Sequence, residues 1–165
     1  MTDLKITLHA EQPGDAEAIE RLNERAFGPG RFARTAERIR EQAGPRLDLS
    51  FVARVATLLV GSVRLTPIRI GDAAGLMLGP LAVEPAFRSR GIGRLLIERA
   101  LKEAQAKGLK LVLLVGDLSY YGKLGFQPVP MGRITMPGPV DPARLLLWSA
   151  DDAARSEAHG AVRGG

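Results

Sequence analysis

Cysteine is absent from this chain of 165 residues, which excludes disulfide bonds, thiol nucleophiles and cysteine-ligated metal sites. Two isolated histidines, His9 and His159, offer little material for zinc, so we expect no metal. No apolar run reaches the length of about 18 residues that a transmembrane helix needs. The first residues lack a basic stretch followed by an apolar one, so we expect no signal peptide. These absences predict a soluble, cytoplasmic protein with no membrane partner.

Aromatic residues are also scarce: the chain has one Trp, two Tyr and five Phe. Its 23 Lys and Arg residues outnumber its 18 Asp and Glu residues, giving a net charge of +5. Arginine suits phosphate, so an anionic ligand or a nucleic acid has to be considered. A nucleic-acid module would interleave basic residues with exposed aromatics, whereas here the arginines are scattered, so we do not expect nucleic acid as a partner.

The size and composition predict a single domain. Hydrophobic residues make up 45% of the chain and charged residues 25%, which is close to the usage of ordinary globular domains. We assign residues 1–150 to this domain. Residues 151–165 consist mainly of Ala, Gly and charged residues, and we expect them to form a frayed tail.

The pattern of apolar residues predicts an α/β fold with a mixed, mostly antiparallel sheet flanked by about four helices. A strand, a crossover helix and a strand between residues 76 and 115 form a parallel pair. Gly79-Pro80 interrupts the first of these strands, which favours a bulge or a local splaying of the pair. The predicted strands are 5–9, 49–55, 58–70, 76–83, 111–115, 126–130 and 144–149, and the longest predicted helix is 91–106.

The segment that joins the strand at Leu81-Ala82-Val83 to this helix carries the most chemical information. Gly91 and Gly93 allow a ligand to approach the backbone, and the free N–H groups of a first helical turn attract anions. Three arginines at 88, 90 and 94 oppose the helix dipole unless an anion is bound, so the segment predicts a phosphate site. A dinucleotide fingerprint and a Walker A loop both fail, because Leu96 and Leu124 stand where those motifs need Gly and Ser or Thr.

Two motifs in this part of the chain resemble those of the GCN5-related N-acetyltransferases, the GNAT superfamily. Arg88-Ser89-Arg90-Gly91-Ile92-Gly93 matches the Arg/Gln-x-x-Gly-x-Gly/Ala signature of that family at every position. The second stretch, residues 115–126, contains Gly-Asp-x-x-Tyr-Tyr and ends in Tyr-x-x-x-Gly-Phe, which looks like a bacterial subgroup of small predicted acetyltransferases. The resemblance implies acetyl-CoA as the co-substrate and a splayed strand pair that admits it.

By this resemblance, the backbone of Leu81, Ala82 and Val83 would bind the pantetheine arm and the amides from Arg88 to Arg94 the pyrophosphate. Tyr121 matches the tyrosine that protonates the departing CoA thiolate, and an N–H near Val83 would stabilise the oxyanion. The predicted cofactor-binding residues are therefore Leu81, Ala82, Val83, Arg88, Ser89, Arg90, Gly91, Ile92, Gly93 and Arg94.

The expected reaction is transfer of acetyl from acetyl-CoA to a primary amine through a tetrahedral intermediate. The acceptor is a small molecule or a protein amine. Alternatives are a protein or aminoacyl-tRNA acetyltransferase of the same fold, and a non-catalytic domain that binds acetyl-CoA. The family often dimerises through late strands, so residues 144–149 are a candidate homodimer interface by resemblance.

Other polar residues near the motifs have open roles. Asp117 either caps the short helix that follows it or contacts the cofactor, and Tyr120 either packs or lines the substrate cleft. Glu84 precedes a proline and is interpreted as surface charge, so no general base is assigned. Acceptor specificity is expected from residues 27–34, where Arg31 and Arg34 could recognise a carboxylate or phosphate, and from the strand that carries Arg64 and Arg69.

Overall fold

A computed structural model describes residues 5–28 and 34–165 of the chain. The helices in these ranges are α1 (Ala16–Phe27), α2 (Thr35–Gln42), α3 (Ile92–Ala106), α4 (Leu118–Tyr121) and α5 (Asp152–Glu157). The strands are β1 (Ile6–Ala10), β2 (Phe51–Val55), β3 (Leu58–Ile70), β4 (Ala73–Val83), β5 (Leu111–Val115), β6 (Gln127–Pro128), β7 (Ile134–Thr135), β8 (Leu145–Ser149) and β9 (Gly160–Gly164).

The strands form one mixed sheet in the order β1-β2-β3-β4-β5-β8-β6, with β9 paired to β3 and β7 paired to β9. Neighbours along the main path are antiparallel, apart from the parallel pair β4 and β5. The predicted fold class, a mostly antiparallel α/β sheet with a parallel pair, is confirmed. Five helices stand in the described ranges where about four were expected.

Helices cover both faces of the sheet because its central strands are apolar on both sides. Alternate residues of β5 point to opposite faces: Val112 and Leu114 pack with α3, while Leu111 and Leu113 pack with α2 and β9. Helix α1 covers the β2 and β3 residues of the same face as α2. Helix α3 presents the buried stripe that its sequence spacing predicts.

The parallel pair separates soon after it forms. Strands β4 and β5 pair only at Leu76–Val112 and Met77–Leu113. Two residues later β4 bulges at Gly79-Pro80, where the β3–β4 register shifts, and the peptide bond between these two residues is cis. Beyond the bulge β4 stays with β3 and β5 stays with β8. The expected splay is therefore present, and it opens a gap between the ends of β4 and β5.

The last residues are ordered where the composition suggested a frayed tail. Helix α5 is capped by the Asp151 carboxylate, which accepts from the Ala154 N–H at 2.7 Å. Strand β9 then pairs antiparallel with residues 68–70 of β3, and Val162 is buried. Residues 151–165 thus extend the sheet, because long-range pairing with β3 supplies the stability that their own composition lacks.

Strand β8 lies inside the sheet, between β5 and β6. Both of its edges are paired at Leu146 and Leu147. The candidate dimer interface at residues 144–149 therefore offers no free strand edge at these two positions, and a homodimer stays a prediction from the resemblance.

Removing residues 159–165 is expected to lower the free energy of unfolding by at least about 2 kcal/mol. The deletion exposes Ile68 and Ile70, which are fully buried, and burying one aliphatic side chain contributes about 1.5–3 kcal/mol. Urea unfolding followed by circular dichroism measures the change. Deleting Gly165 alone, which removes one backbone hydrogen bond to Pro67, serves as the control. Equal midpoints for the long deletion and the intact chain would support a frayed tail.

Candidate active site

The end of β4 exposes backbone groups to the gap that the splay creates. The N–H of Glu84 donates to a carbonyl of β3 at 2.7 Å. Hydrogen-bonded and non-bonded pairs alternate along an antiparallel ladder, so Ala82 and Ser62 form the next bonded pair. Leu81 and Val83 therefore turn their N–H and C=O groups away from β3, toward the gap. A ligand lying there can add to β4 as a further strand would.

The start of α3 faces the same gap with free amides. Gly91 precedes the helix in the left-handed region, with φ 77°, which glycine adopts at little cost. The first α-helical hydrogen bond runs from the Leu95 N–H to the Gly91 carbonyl. The amides of residues 92–94 therefore precede the helical ladder and are available to an anion.

The three arginines of this segment have different surroundings. Arg94 is bonded to Glu98 one turn further along α3, and the Arg90 guanidinium lies 5.7 Å from the centre of the Phe87 ring. The backbone N–H of Arg88 donates to Pro85, so this amide is already engaged, whereas the residue itself lines the cavity described next. The phosphate site that the sequence predicts would thus depend mainly on backbone amides.

A cavity of about 490 Å³ lies between the end of β4 and the start of α3, and we call it the helix-side cavity. Nine of the ten predicted cofactor-binding residues line it, and Arg90 does not. The nine are Leu81, Ala82, Val83, Arg88, Ser89, Gly91, Ile92, Gly93 and Arg94. The cavity is also lined by Phe27, Tyr120 and Lys123, among others.

A second cavity of about 690 Å³ lies on the other side of the gap, against α2, and we call it the α2-side cavity. Its walls come from α2, the bulge of β4, the end of β5, α4 and the loop before β8. Phe27, Leu81 and Tyr120 line both cavities. A ligand in one cavity can therefore meet a ligand in the other beside these three residues.

Tyr121 lines the α2-side cavity next to this junction. Its ring packs edge to face against Tyr120 and Phe126, with centroids 4.9 and 5.9 Å apart. Burial raises the pKa of Tyr121 to about 12, and Tyr120 and the Asp117 carboxylate add to the rise. The hydroxyl therefore stays protonated at neutral pH and can donate a proton.

The glycines of the second motif set the position of the Tyr121 ring. A side chain at Gly116 would overlap this ring, so the residue that follows β5 must be glycine. Gly125 ends the turn after α4 with φ 97° and packs against Trp148, which a Cβ would approach to 3.2 Å. Phe126 is fully buried in the core and anchors the turn. The Tyr-x-x-x-Gly-Phe pattern is thus a packing requirement for presenting this hydroxyl.

Tyr120 forms the wall between the two cavities. Its hydroxyl lies against Gly93, where a Cβ would come within 2.7 Å of the oxygen. Burial raises the pKa of Tyr120, while the positive charge of Arg94 opposes the rise. Of the two roles that the sequence left open, the structure favours lining the cleft, although the ring also packs on Tyr121.

Two acidic residues near the motifs are paired with arginines. Asp117 precedes α4, but its side chain does not cap the helix and lies 3.3 Å from the Nε atom of Arg144. Glu84, interpreted as surface charge, accepts a hydrogen bond from Arg25 at 2.7 Å. The paired Glu84 does not line either cavity, so the structure offers no reason to assign it as a general base.

Among the residues expected to select the acceptor, Arg34 lines the α2-side cavity. Its guanidinium lies 5.1 Å from the centre of the Phe27 ring, at the end of α1. Arg31, the other arginine of this segment, lies outside the described residues. Phe27 and Arg34 of this segment thus form part of the cavity wall, and a role in acceptor specificity stays a prediction.

Arg64 and Arg69, on the strand expected to contribute to acceptor specificity, are engaged elsewhere. Arg64 donates two hydrogen bonds to the buried Glu11 carboxylate, at 3.0 and 2.9 Å. Arg69 donates to the carbonyl of Asp72 at the far end of β3. Neither arginine lines the α2-side cavity.

The sequence analysis missed Arg40 and Glu37 of α2, which also line this cavity. The Arg40 Nη1 donates to Glu37 Oε2 at 3.0 Å, and burial lowers the pKa of Arg40. The alternation of Arg with Glu in α2 favoured a solvated surface. The residue spacing indicates instead that Arg40 faces the protein, because it follows the buried Ala36 by four residues and lies on the same side of the helix.

Within residues 5–28 and 34–165, no cluster of three or more His, Asp or Glu residues could hold a metal ion. In the described part of the chain, no helix combines the length and apolar character needed to cross a membrane.

Diverging parallel strands, a helix start with free amides and a partly buried tyrosine beside the gap are the features that the resemblance to the GNAT acetyltransferases implies. The acetyltransferase (GNAT) domain family matches residues 47–128. The uncharacterized N-acetyltransferase YjhQ of Escherichia coli is 30% identical over 153 residues, covering 90% of this chain and 84% of that protein. The chain therefore belongs to the GNAT acetyltransferase family.

Further relatives agree with this assignment. The uncharacterized N-acetyltransferase YhbS of Escherichia coli is 29% identical over 128 residues, 74% of each chain. The crystal structure of YhbS with CoA shares the fold, with a TM-score of 0.84 at 23% identity over 100% of this chain and 92% of that one. A GNAT acetyltransferase from Brucella melitensis, crystallised with acetyl-CoA, has a TM-score of 0.61 at 28% identity over 90% and 98%.

Proposed function

We propose that this protein transfers the acetyl group of acetyl-CoA to a primary amine, with Tyr121 as the general acid. The observation that carries the proposal is the position of Tyr121 in the α2-side cavity, packed against Tyr120 at the junction of the two cavities. A protein that only bound acetyl-CoA would not need a protonated hydroxyl beside that junction. Relatives crystallised with CoA and acetyl-CoA support the choice of co-substrate.

Acetyl-CoA would occupy the helix-side cavity. The free backbone groups of Val83 would pair with the pantetheine arm, and the amides of residues 89–94 would hold the pyrophosphate. The Arg88 side chain adds positive charge, although its amide is already engaged. Ala82 supports the site differently, because its backbone pairs with β3 and its side chain is buried.

The acetyl group would lie where the cavities meet. The amine nitrogen attacks the thioester carbon from the α2-side cavity, and the carbonyl oxygen becomes an oxyanion. Leu81 lines both cavities, whereas Val83 lines only the helix-side one. The N–H of Leu81 is therefore better placed than the N–H groups near Val83 to stabilise the oxyanion.

Collapse of the intermediate breaks the carbon–sulfur bond. The thiolate takes the proton of Tyr121, and the amine nitrogen loses a proton to solvent. The desolvation that raises the pKa of Tyr121 also raises that of a thiolate held beside it, so the transfer remains feasible. The product is an amide, and the tyrosinate is reprotonated from water.

Calorimetric titration with acetyl-CoA and CoA, followed by an amine panel with detection of the released thiol, tests this function. The panel includes small amines, peptide amino termini and aminoacyl-tRNA. We expect saturable cofactor binding and thiol release that depends on an amine. Binding without release for any amine would favour the non-catalytic alternative, and no binding at about millimolar cofactor would contradict the proposal.

A further inference from the structure

Arg40 places a largely buried positive charge in the wall of the α2-side cavity. Its Nη2 atom lies against the bulge of β4, where a Cβ at Gly79 would come within 2.6 Å of it. Gly79 precedes Leu81 by two residues, and an extended strand rises about 3.3 Å per residue. The guanidinium is therefore within about 7 Å along the strand from the proposed reacting centre, on the side from which the amine approaches.

The guanidinium is only partly satisfied by protein groups. It has five N–H donors in a rigid fork, and Glu37 takes one of them. In residues 5–28 and 34–165 its Nε–H is buried without an acceptor, and no acceptor is found for Nη2. Arg34 and Arg64 are near enough to lower the pKa of Arg40 further, after burial itself. This wall of the cavity therefore has guanidinium N–H donors that no group in the described part of the chain accepts.

The acidic residues that line the cavity, apart from Glu37, have partners of their own. Asp117 pairs with Arg144 at 3.3 Å, and the Asp141 carboxylate accepts from the Ala143 N–H at 3.0 Å. These groups leave no carboxylate pointed at Arg40 other than Glu37 among the described lining residues. The unsatisfied donors of Arg40 thus lie on α2, against the bulge.

We propose that Arg40 binds an anionic group of the acceptor, so that the acceptor is an amine that also carries a carboxylate or a phosphate. Both groups present paired oxygens that match the guanidinium fork. The Nη2 edge makes the contact while Nη1 keeps its bond to Glu37. The proposal rests on the function proposed above and narrows its substrate class.

Product analogues in matched pairs test the site without turnover. The pairs are N-acetyl-L-phenylalanine with its amide, and N-acetyl-phosphoethanolamine with N-acetyl-ethanolamine, each titrated calorimetrically with and without saturating CoA. For at least one pair we expect the anionic member to bind about tenfold or more tightly, since hydrogen bonds between charged groups are the strong ones. The pair that shows the preference identifies carboxylate or phosphate.

Two variants assign the preference to Arg40. Arg40→Met together with Glu37→Gln removes the ion pair without leaving a lone buried charge, and it is expected to abolish the preference. Glu37→Gln alone keeps the cation and is expected to retain the preference. Circular dichroism and acetyl-CoA titration of each variant check that folding and the cofactor site are intact.

Equal binding of both members in every pair, or a preference that survives the double substitution, would overturn the proposal. Failure of acetyl-CoA to bind would instead count against the proposed function. The analogue titrations without CoA judge the anion site independently of that result, so the two failures are distinguishable.

Discussion

Replacing Tyr121 with phenylalanine is expected to lower kcat by about 100-fold or more, the usual contribution of a positioned general acid. The affinity for acetyl-CoA should stay unchanged, because Tyr121 does not line the helix-side cavity. Stopped-flow or steady-state detection of the CoA thiol gives kcat, and calorimetry gives the dissociation constant. A loss confined to kcat is the signature of a group that acts in the transition state.

The pH profile adds a second readout for Tyr121. Since burial raises its pKa to about 12, the acid stays protonated up to roughly pH 11. The rate should therefore rise with pH as the amine loses its proton, and should not fall below that pH through loss of the acid. A decline centred near pH 10, the ordinary tyrosine value, would show that this burial does not hold in solution.

Tyr120→Phe is the matched control for Tyr121→Phe. The two rings are neighbours of the same type, but the Tyr120 hydroxyl lies against Gly93 at the start of α3. We expect its removal to weaken cofactor binding modestly and to leave the chemical step within a few fold. Equal losses of kcat in both variants would argue that neither hydroxyl is the acid.

Replacing Gly91 with glutamate is expected to weaken CoA binding by about 100-fold or more. The carboxylate would stand beside the amides proposed to hold the pyrophosphate, and like charges about 4 Å apart repel by about 4 kcal/mol near a protein surface. Calorimetry with CoA measures the loss. Titration with pantetheine, which has no pyrophosphate, should change little.

Gly108→Glu controls for backbone strain in this experiment. Gly108 follows the other end of α3, has φ 79° beside the 77° of Gly91, and like Gly91 has no atom within 4 Å of a built Cβ. Both substitutions therefore carry a similar conformational cost. Loss of CoA binding in both variants would point to destabilisation of α3, and loss in neither would contradict the pyrophosphate site.

Local patterns predicted the part of the fold that surrounds the proposed cofactor site. The apolar run of β5, the amphipathic stripe of α3 and Gly79-Pro80 each act within about ten residues, so the sequence alone places them. The same holds for Gly91 and Gly125, which adopt positive φ where α3 begins and where the turn after α4 ends. Predicting the splay of β4 and β5 required only these elements and their order along the chain.

The amine-side features escaped prediction because they depend on distant partners. Strand β9 has few apolar residues, and it is stabilised by pairing with β3 almost a hundred residues earlier. Arg40 is buried only because α2 packs between the bulge of β4 and the loop before β8, where Arg38 and Thr35 bond the carbonyls of Pro137 and Pro139. The order of charged and apolar residues along the sequence reveals neither the pairing of β9 with β3 nor the packing of α2.

The final strand also supports the helix that carries Arg40. The Gly164 N–H donates to the Gln42 side chain at 2.7 Å, and a Cβ at Gly164 would come within 3.1 Å of the Ile39 carbonyl. An affinity tag or fusion partner joined directly after Gly165 would therefore disturb the contact between β9 and α2. We expect such a tag to change the KM for the acceptor and to leave the affinity for acetyl-CoA intact. Recombinant protein for the acceptor measurements is better tagged at its other end.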